Sequence, residues 1–305
     1  MIHSAARRFL DMRALAALAR LHFAPHQRID GSYSGKHASR AQGGAGEFVD
    51  YREYTAGEDL RRLDWKILAR TGRAYIRLCQ DETNLVCTLV LDASDSMRFG
   101  ADLTGRRGGN GSKLEYVQFL ASALAHLIGR QQDQAGLAII ADGLREFIVP
   151  SGTTGQIARL LDVVEHLETT PVTNLGQGLR ELYQQLSRRG VLVIMSDFLV
   201  DSLDDAFSAI RLFRHRQFEV IILHVIHPGE ERLPDGTAYR FVGLENDGSV
   251  DASPHEVRQI YQERFEAHVA MVRSMALSTG CDYRRVSTAI PYLQTLSEFL
   301  VERSG

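Results

Sequence analysis

The sequence predicts an α/β protein: a doubly wound, mostly parallel sheet with helices on both faces over residues 85–305, preceded by an N-terminal α/β extension over residues 1–84. Three observations carry this. Four short apolar runs rich in β-branched residues recur, Val86–Leu91, Gly136–Ala141, Val191–Met195 and Phe218–Val225, and uninterrupted runs of this length mark strands covered on both faces. Between them lie segments with apolar residues at helical spacing, long enough to cross over a sheet and begin the next parallel strand. Finally, 44% hydrophobic and 24% charged residues over 305 positions supply a sizeable core.

Taken from the start, Leu10, Leu15, Leu18 and Leu21 recur at helical spacing, so residues 1 to about 27 read as one or two amphipathic helices. Arg7-Arg8 precedes this stretch, but Asp11, Arg13 and Arg20 interrupt it, which is unlike the apolar region of a signal peptide. From Gly31 to Gly46 the chain turns to Gly, Ser, Lys, His and Arg, a loop or extended flap. The next thirty residues interleave charges of both signs with Phe48, Tyr51, Tyr54 and Trp65. They read as a small module stitched by Arg–carboxylate pairs around the sole tryptophan, or as a recognition surface built from favoured anchor residues. Ala74–Leu78 alternates and reads as a strand.

In the larger part, Arg98–Gly111 is a glycine-rich connector. Gly108-Gly109-Asn110-Gly111-Ser112-Lys113 lacks the order of a phosphate-cradling loop, because its lysine follows serine. Ser112-Lys113-Leu114-Glu115 fits a capping box opening a helix to about Arg130. After the strand Gly136–Ala141, Gly143 turns the chain into a shorter strand, Arg145–Val149. Thr153 or Thr154 then caps a helix through Leu167. Thr173-Asn174 starts a further helix with Leu175, Leu179, Leu182 and Leu186 on one face, and Asp201, Asp204 and Asp205 cap the helix that follows Val191–Met195. Beyond Phe218–Val225, a Gly/Pro/Asp/Glu-rich stretch holds one short strand, Ala238–Val242. A long helix (Val257–Leu277), a last strand (Cys281–Val286) and a closing helix (Pro291–Glu302) complete the alternation. His224 and His227, near a strand end, read as satisfied histidines in preference to ligands.

The chemistry gathers at the end of the first buried strand, where the chain presents Asp92, Ser94 and Ser96. In an open α/β sheet, ligands bind beyond the carboxyl ends of the strands. One carboxylate and two hydroxyls there form a hard oxygen half-shell suited to Mg²⁺ or Mn²⁺.

The run Gly35-x-His37-x-Ser39-Arg40, then Gly46-Glu47-Phe48-x-Asp50-Tyr51-Arg52-x-Tyr54, Gly57-x-Asp59-x-Arg61-Arg62-x-Asp64-Trp65-Lys66 and Ala69-Arg70 resembles the signature of the bacterial family known as domain of unknown function 58. The resemblance extends through the Asp-x-Ser-x-Ser loop. It implies a von Willebrand factor A-like, Rossmann-like domain with an N-terminal extension and a MIDAS-type metal site. It also implies cooperation with an AAA+ ATPase of the MoxR type. By the same resemblance Thr173 and Asp197 match the second and third loops of the metal site, although Pro171-Val172 stands where many such domains have a glycine pair and Phe198 where a glycine usually follows the aspartate. The signature residues His37, Arg40, Glu47, Tyr51, Arg52, Asp59, Arg61, Asp64 and Trp65 are the corresponding candidates for partner contact.

The expectation is a non-enzymatic, Mg²⁺-dependent protein-interaction module acting as adaptor or co-chaperone for a MoxR-type ATPase on an unknown client protein. The rival is a metal-dependent hydrolase of a phosphoester, which needs a positioned base or second metal; no carboxylate or histidine cluster at motif spacing supplies one. A net charge of −3 gives no basic field for nucleic acid. No run approaches the ~18–20 apolar residues that span a bilayer. Cys79, Cys87 and Cys281 lack ligand spacing and suit reduced thiols in the cytoplasm.

Overall fold

A computed structural model describes residues 8–11, 15–16, 21–23, 37–38, 47–55, 63–80, 82–83, 85–100, 111–233, 235–236, 239–244 and 248–304. The chain divides into two compact units, one of residues 1–23 with 86–305 and a smaller one of residues 24–85. The smaller unit ends at Leu85, and the N-terminal stretch up to Phe23 belongs with the larger unit. The reason is apolar and ionic contact. Phe9 packs edge-on against Phe119, Phe23 lies against Phe299, and Arg8 reaches Glu115 at 3.0 Å.

In the smaller unit, β1 (His37–Ala38), β2 (Glu47–Glu53), α1 (Trp65–Thr71), β3 (Tyr75–Gln80) and β4 (Glu82–Thr83) follow in order. β2 pairs antiparallel with β3, its register slipping between Phe48 and Asp50, and β1 pairs antiparallel with β4. Asp64 starts α1 by accepting from the backbone N–H groups of Lys66 and Ile67, satisfying two of the helix's orphan donors. Gly72, at φ +68°, ends it in the left-handed conformation that glycine adopts without penalty. Leu63 and Ile76 are buried and bridged to each other, whereas Trp65 is 61% exposed. The tryptophan is therefore not the centre about which the module packs. It opens the helix and faces solvent.

The larger unit alternates as the periodicity predicts. Its elements are β5 (Val86–Asp92), a 3₁₀ turn (Asp95–Arg98), α2 (Lys113–Arg130), β6 (Gln134–Ala141), β7 (Gly143–Ser151), α3 (Gln156–Glu165) and α4 (Leu175–Gln185). Then come β8 (Val191–Ser196), α5 (Leu203–His215), β9 (Glu219–Ile226), α6 (Pro228–Glu231), β10 (Tyr239–Val242), β11 (Ser249–Ala252), α7 (Pro254–Ser278), β12 (Asp282–Ser287) and α8 (Tyr292–Ser304). Six strands form one sheet in the order β12-β9-β8-β5-β6-β7, all parallel except the edge strand β7. Gly143, at φ +97°, makes the tight turn that lets β7 fold back on β6. The order reverses between β5 and its two neighbours β6 and β8, which is the switch point of a doubly wound sheet. β5, β8 and β9 are buried almost throughout, as their uninterrupted apolar sequences require. One face carries the cluster of Val90, Ile194, Ile222, Leu179, Leu182, Phe207 and Phe213 between sheet and helices.

Two caps differ from the sequence reading, those of α3 and α5, and the structure settles that of α4. Gly155 occupies the N-cap of α3, and neither Thr153 nor Thr154 caps it with a side chain. Asn174, not Thr173, caps α4 by accepting from the Gln177 N–H at 3.0 Å. Ser202 caps α5, which leaves Asp204 and Asp205 in its first turn, favourably placed against the helix dipole. The sequence also missed β11, the antiparallel partner of β10.

Candidate functional site

β5 ends in the switch-point crevice, and the loop behind it brings four of the five predicted metal-site residues into one buried cluster. The Ser94 N–H donates to Asp92 Oδ1 at 2.9 Å, and the Ser94 and Ser96 hydroxyls lie 2.9 Å apart. From the end of β8, Ser196 Oγ donates to Asp92 Oδ2 at 2.5 Å. Asp197, the next residue, receives a hydrogen bond from the Ser96 hydroxyl and presses its charge on Asp92. Asp92, Ser94, Ser96 and Asp197 are all buried.

The fifth residue, Thr173, is on the loop before α4. Two backbone bonds lash that loop to neighbouring strand ends: Thr170 N–H to Ala93 O at 2.9 Å and Asn174 N–H to Ala141 O at 2.6 Å. Because Asn174 takes the cap, the Thr173 hydroxyl is left over. Its Oγ1 is buried with no hydrogen-bond partner among the described residues. A buried hydroxyl without a partner is costly, so something outside the chain is expected to meet it. Beside it Ala141, Asp142, Arg145, Thr170, Pro171 and Val172 line a cavity of about 410 Å³.

Sequence reasoning missed a lysine. Lys113, first residue of α2, is fully buried and donates to Asp197 Oδ2 at 2.5 Å and to Glu230. Glu230 is held in turn by α6, where its other oxygen accepts from the His227 N–H at 2.8 Å in a capping box. His227 caps the same helix by accepting from the Gly229 N–H. His224 spends one ring nitrogen on the Asp197 carbonyl oxygen at 3.0 Å and the other on the Tyr283 hydroxyl at 2.9 Å. Both histidines are satisfied, as their positions at a strand end led one to expect.

The electrostatics follow from burial and neighbours. Burial, and then the charge of Asp197, push the Asp92 carboxyl up to about 6, against the hydrogen bonds from Ser196 and Ser94. Burial would raise Asp197 too, but the Lys113 ammonium and the Leu199 N–H more than offset it and hold it below the usual range. Burial works against the charge of Lys113, and its two carboxylate partners prevail, keeping it protonated. Burial, helped by His268, lowers His224 to about 4, so its imidazole is neutral at pH 7.

Phe198 carries the departure seen in the sequence. It adopts φ +54°, a region where a bulky side chain is strained. Its ring is fully buried, stacked on Phe207 at 5.7 Å and edge-on to His224 at 5.8 Å, and that packing offsets the strain where a glycine would need none.

The donor set fits a hard divalent ion. Three hydroxyls, one of them unpartnered, and two carboxylates of like charge are all oxygen ligands, as Mg²⁺ and Mn²⁺ prefer. No group of three or more His, Cys, Asp or Glu side chains among the described residues is arranged as a metal cluster.

The signature residues are placed unevenly. Tyr51 is exposed, its hydroxyl donating to Asp64 Oδ2 at 3.3 Å, and Asp64 and Trp65 form the start of α1. His37, Glu47 and Arg52 lie on β1 and β2. Arg40, Asp59 and Arg61 fall outside the described residues.

The family model described as "Protein of unknown function DUF58" matches residues 50–271, which span both the β2–β3 module and the oxygen cluster. The chain belongs to the DUF58 family. Uncharacterised proteins of Mycobacterium tuberculosis and Mycobacterium bovis are 29% identical to this DUF58 chain over 229 residues, covering 74% of it and 69% of each relative. Among solved structures, the chain is similar to the conserved hypothetical protein BatB from Bacteroides thetaiotaomicron, with TM-score 0.49 and 14% identity over 72% of this chain and 99% of that one. It is also similar to a von Willebrand factor type A structure from Catenulispora acidiphila, with TM-score 0.40 and 12% identity over 76% and 44% of the two chains. The fold itself rests on the strand order given above.

Proposed function

We propose that this DUF58 chain is a non-enzymatic, Mg²⁺-dependent protein-interaction module that serves as adaptor or co-chaperone for a MoxR-type AAA+ ATPase acting on a client protein. The observation that carries the reading is the buried oxygen cluster of Asp92, Ser94, Ser96 and Asp197 at the switch point, together with the buried, unpartnered Thr173 hydroxyl on the loop lashed to Ala93 and Ala141. Ser94, Ser96 and Thr173 would hold the ion, with Asp92 and Asp197 supplying the negative charge. When bound, the ion supplies an open coordination position for a carboxylate of the partner protein. The chain's own residues do the rest: Ser196 and the Ser94 N–H orient Asp92, and Lys113 and the Leu199 N–H orient Asp197.

A binding role suits the surroundings better than hydrolysis of a phosphoester. The nearby His224 and His227 are both committed to structural hydrogen bonds, so neither is poised as a base. The ATPase as partner rests on the family signature, and the exposed Trp65 and Tyr51 within it suit a recognition surface. In the chain no helix among the described residues is long and apolar enough to cross a membrane.

The test is titration with Mg²⁺ followed by calorimetry and thermal shift, then capture of a MoxR-type ATPase in Mg²⁺ and in chelator. Wild type is expected to bind Mg²⁺ and to retain the ATPase only with the ion present, and Asp92→Ala to lose both. Equal, negligible Mg²⁺ responses from the two proteins sink the metal site. Phosphoester turnover that vanishes in Asp92→Ala would favour the hydrolase instead.

A further inference from the structure

Lys113 is placed against every local preference. It stands at the first position of an 18-residue helix, where the dipole disfavours a cation, and it is 0% exposed. A first-turn lysine ordinarily snorkels to water. Here the side chain turns inward and spends its ammonium on Asp197 and Glu230. Both acceptors are fixed from behind, Asp197 Oδ1 by the Leu199 N–H at 3.0 Å and Glu230 Oε2 by the His227 N–H at 2.8 Å. The Phe99 ring lies 5.9 Å from the ammonium. Asp197 also takes the Ser96 hydroxyl, so the ammonium is one shared carboxylate away from the oxygen cluster.

Charge makes the arrangement informative. Two buried carboxylates, Asp197 and Glu230, meet the ammonium, and a third, Asp92, presses on Asp197. With all of them ionised two negative charges remain, the charge of one divalent cation. Without Lys113 three would remain, and buried charge of one sign is strongly disfavoured.

We infer that Lys113 is a resident counter-ion of the cation site: it holds Asp197 in register when no ion is bound and sets how tightly a divalent ion is taken up. The inference rests on the metal reading of the Asp92 cluster and adds to it a residue that touches Asp197 but is not itself a ligand. A fixed ammonium beside the ion repels it, so the site is tuned for weak, exchangeable binding. The neighbouring Glu230 limits that repulsion and anchors the lysine.

Calorimetric and thermal-shift titrations of the full chain with Mg²⁺ test this, using wild type, Lys113→Met, Lys113→Arg and Glu230→Gln. Lys113→Met is expected to melt lower in chelator, to bind Mg²⁺ at least tenfold more tightly, and to show a larger rise in Tm on adding the ion. Lys113→Arg, which keeps the charge, is expected to stay within a few-fold of wild type. If Lys113→Met alone does not fold, Glu230→Gln decides, because it leaves the ammonium less compensated; weaker Mg²⁺ binding is expected there. Adding Asp92→Ala must abolish the gain, and a gain that survives it overturns the inference. So does a folded Lys113→Met whose affinity is unchanged or weaker, or a Glu230→Gln whose affinity is unchanged or tighter; the metal reading then stands if wild type binds. Silence from every protein overturns both. A silent wild type with a responsive Lys113→Met supports the inference in its strongest form, a site closed by its own lysine.

Discussion

The sheet carries a buried ion cluster at each end, and the two are built differently. At the carboxyl ends of the strands, Lys113 bridges Asp197 and Glu230. At the amino ends, Arg303 of α8 bridges Glu219 at the start of β9 and Asp282 at the start of β12, the latter at 2.9 Å, with Phe23 and Phe299 against its guanidinium. In both, one cation faces two carboxylates. At the amino end the second carboxylate, Asp282, is 40% exposed, so water absorbs the surplus charge. At the carboxyl end both partners of Lys113 are buried, and Asp92 adds a further buried carboxylate. A planar guanidinium suits a fixed brace between elements, whereas an ammonium is a compact point charge. The amino-terminal cluster is a brace, and the carboxyl-terminal one is a site.

The largest expected effect tests the brace. Arg303→Met breaks the buried pair with Glu219, which costs about 3–5 kcal/mol, read from urea denaturation. The loss should be the same in Mg²⁺ and in chelator. A loss that Mg²⁺ restores would erase the distinction between the two ends.

The next tests the surplus charge. Burial and Asp197 lift Asp92 from 3.8 to about 6. The folded state therefore binds a proton that the unfolded state has released between those values, and stability from this group is fully present below pH 3.8 and is lost as pH rises through about 6. Asp92→Asn should flatten that part of the metal-free pH–stability curve and leave the protein roughly 2–3 kcal/mol more stable at pH 7 relative to its stability at pH 4, compared with wild type. Mg²⁺ should flatten the wild-type curve in the same way, since the ion replaces the proton. Curves of wild type and variant that run parallel in chelator would show that Asp92 carries no buried surplus.

How far the sequence foretold these two ends depends on how local each is. The strands were legible because uninterrupted apolar runs have few other destinations, and Asp92, Ser94 and Ser96 sit within one turn of a strand end. Thr173 and Asp197 needed a known loop pattern to be joined to them. Lys113 was not legible. Within Ser-Lys-Leu-Glu it has the appearance of a first-turn lysine on a solvated face, and its burial depends on Asp197, 84 positions away, and Glu230, 117 away. The sequence left the cap of α4 open between Thr173 and Asn174 because Thr and Asn are both good N-caps; that single position decides whether Thr173 has a free hydroxyl. Trp65 misled in the other direction. A sole tryptophan among arginines suggests a packed centre, yet it follows an N-capping aspartate on the exposed start of a short helix.

The smallest effect comes from a third pair that supplies the reference for the other two. Arg180 and Asp205 meet in two parallel hydrogen bonds of 2.8 and 3.0 Å across α4 and α5, better geometry than either buried cluster needs. Their side chains are 40% and 43% exposed. Water already solvates both charges, so breaking the pair leaves neither stranded, and only the modest attraction of a surface ion pair is lost. Arg180→Met should cost about 0.2–1 kcal/mol and less at high salt. If it cost as much as Arg303→Met, hydrogen-bond geometry and not burial would govern these pairs, and the contrast between the two ends of the sheet would lose its physical basis.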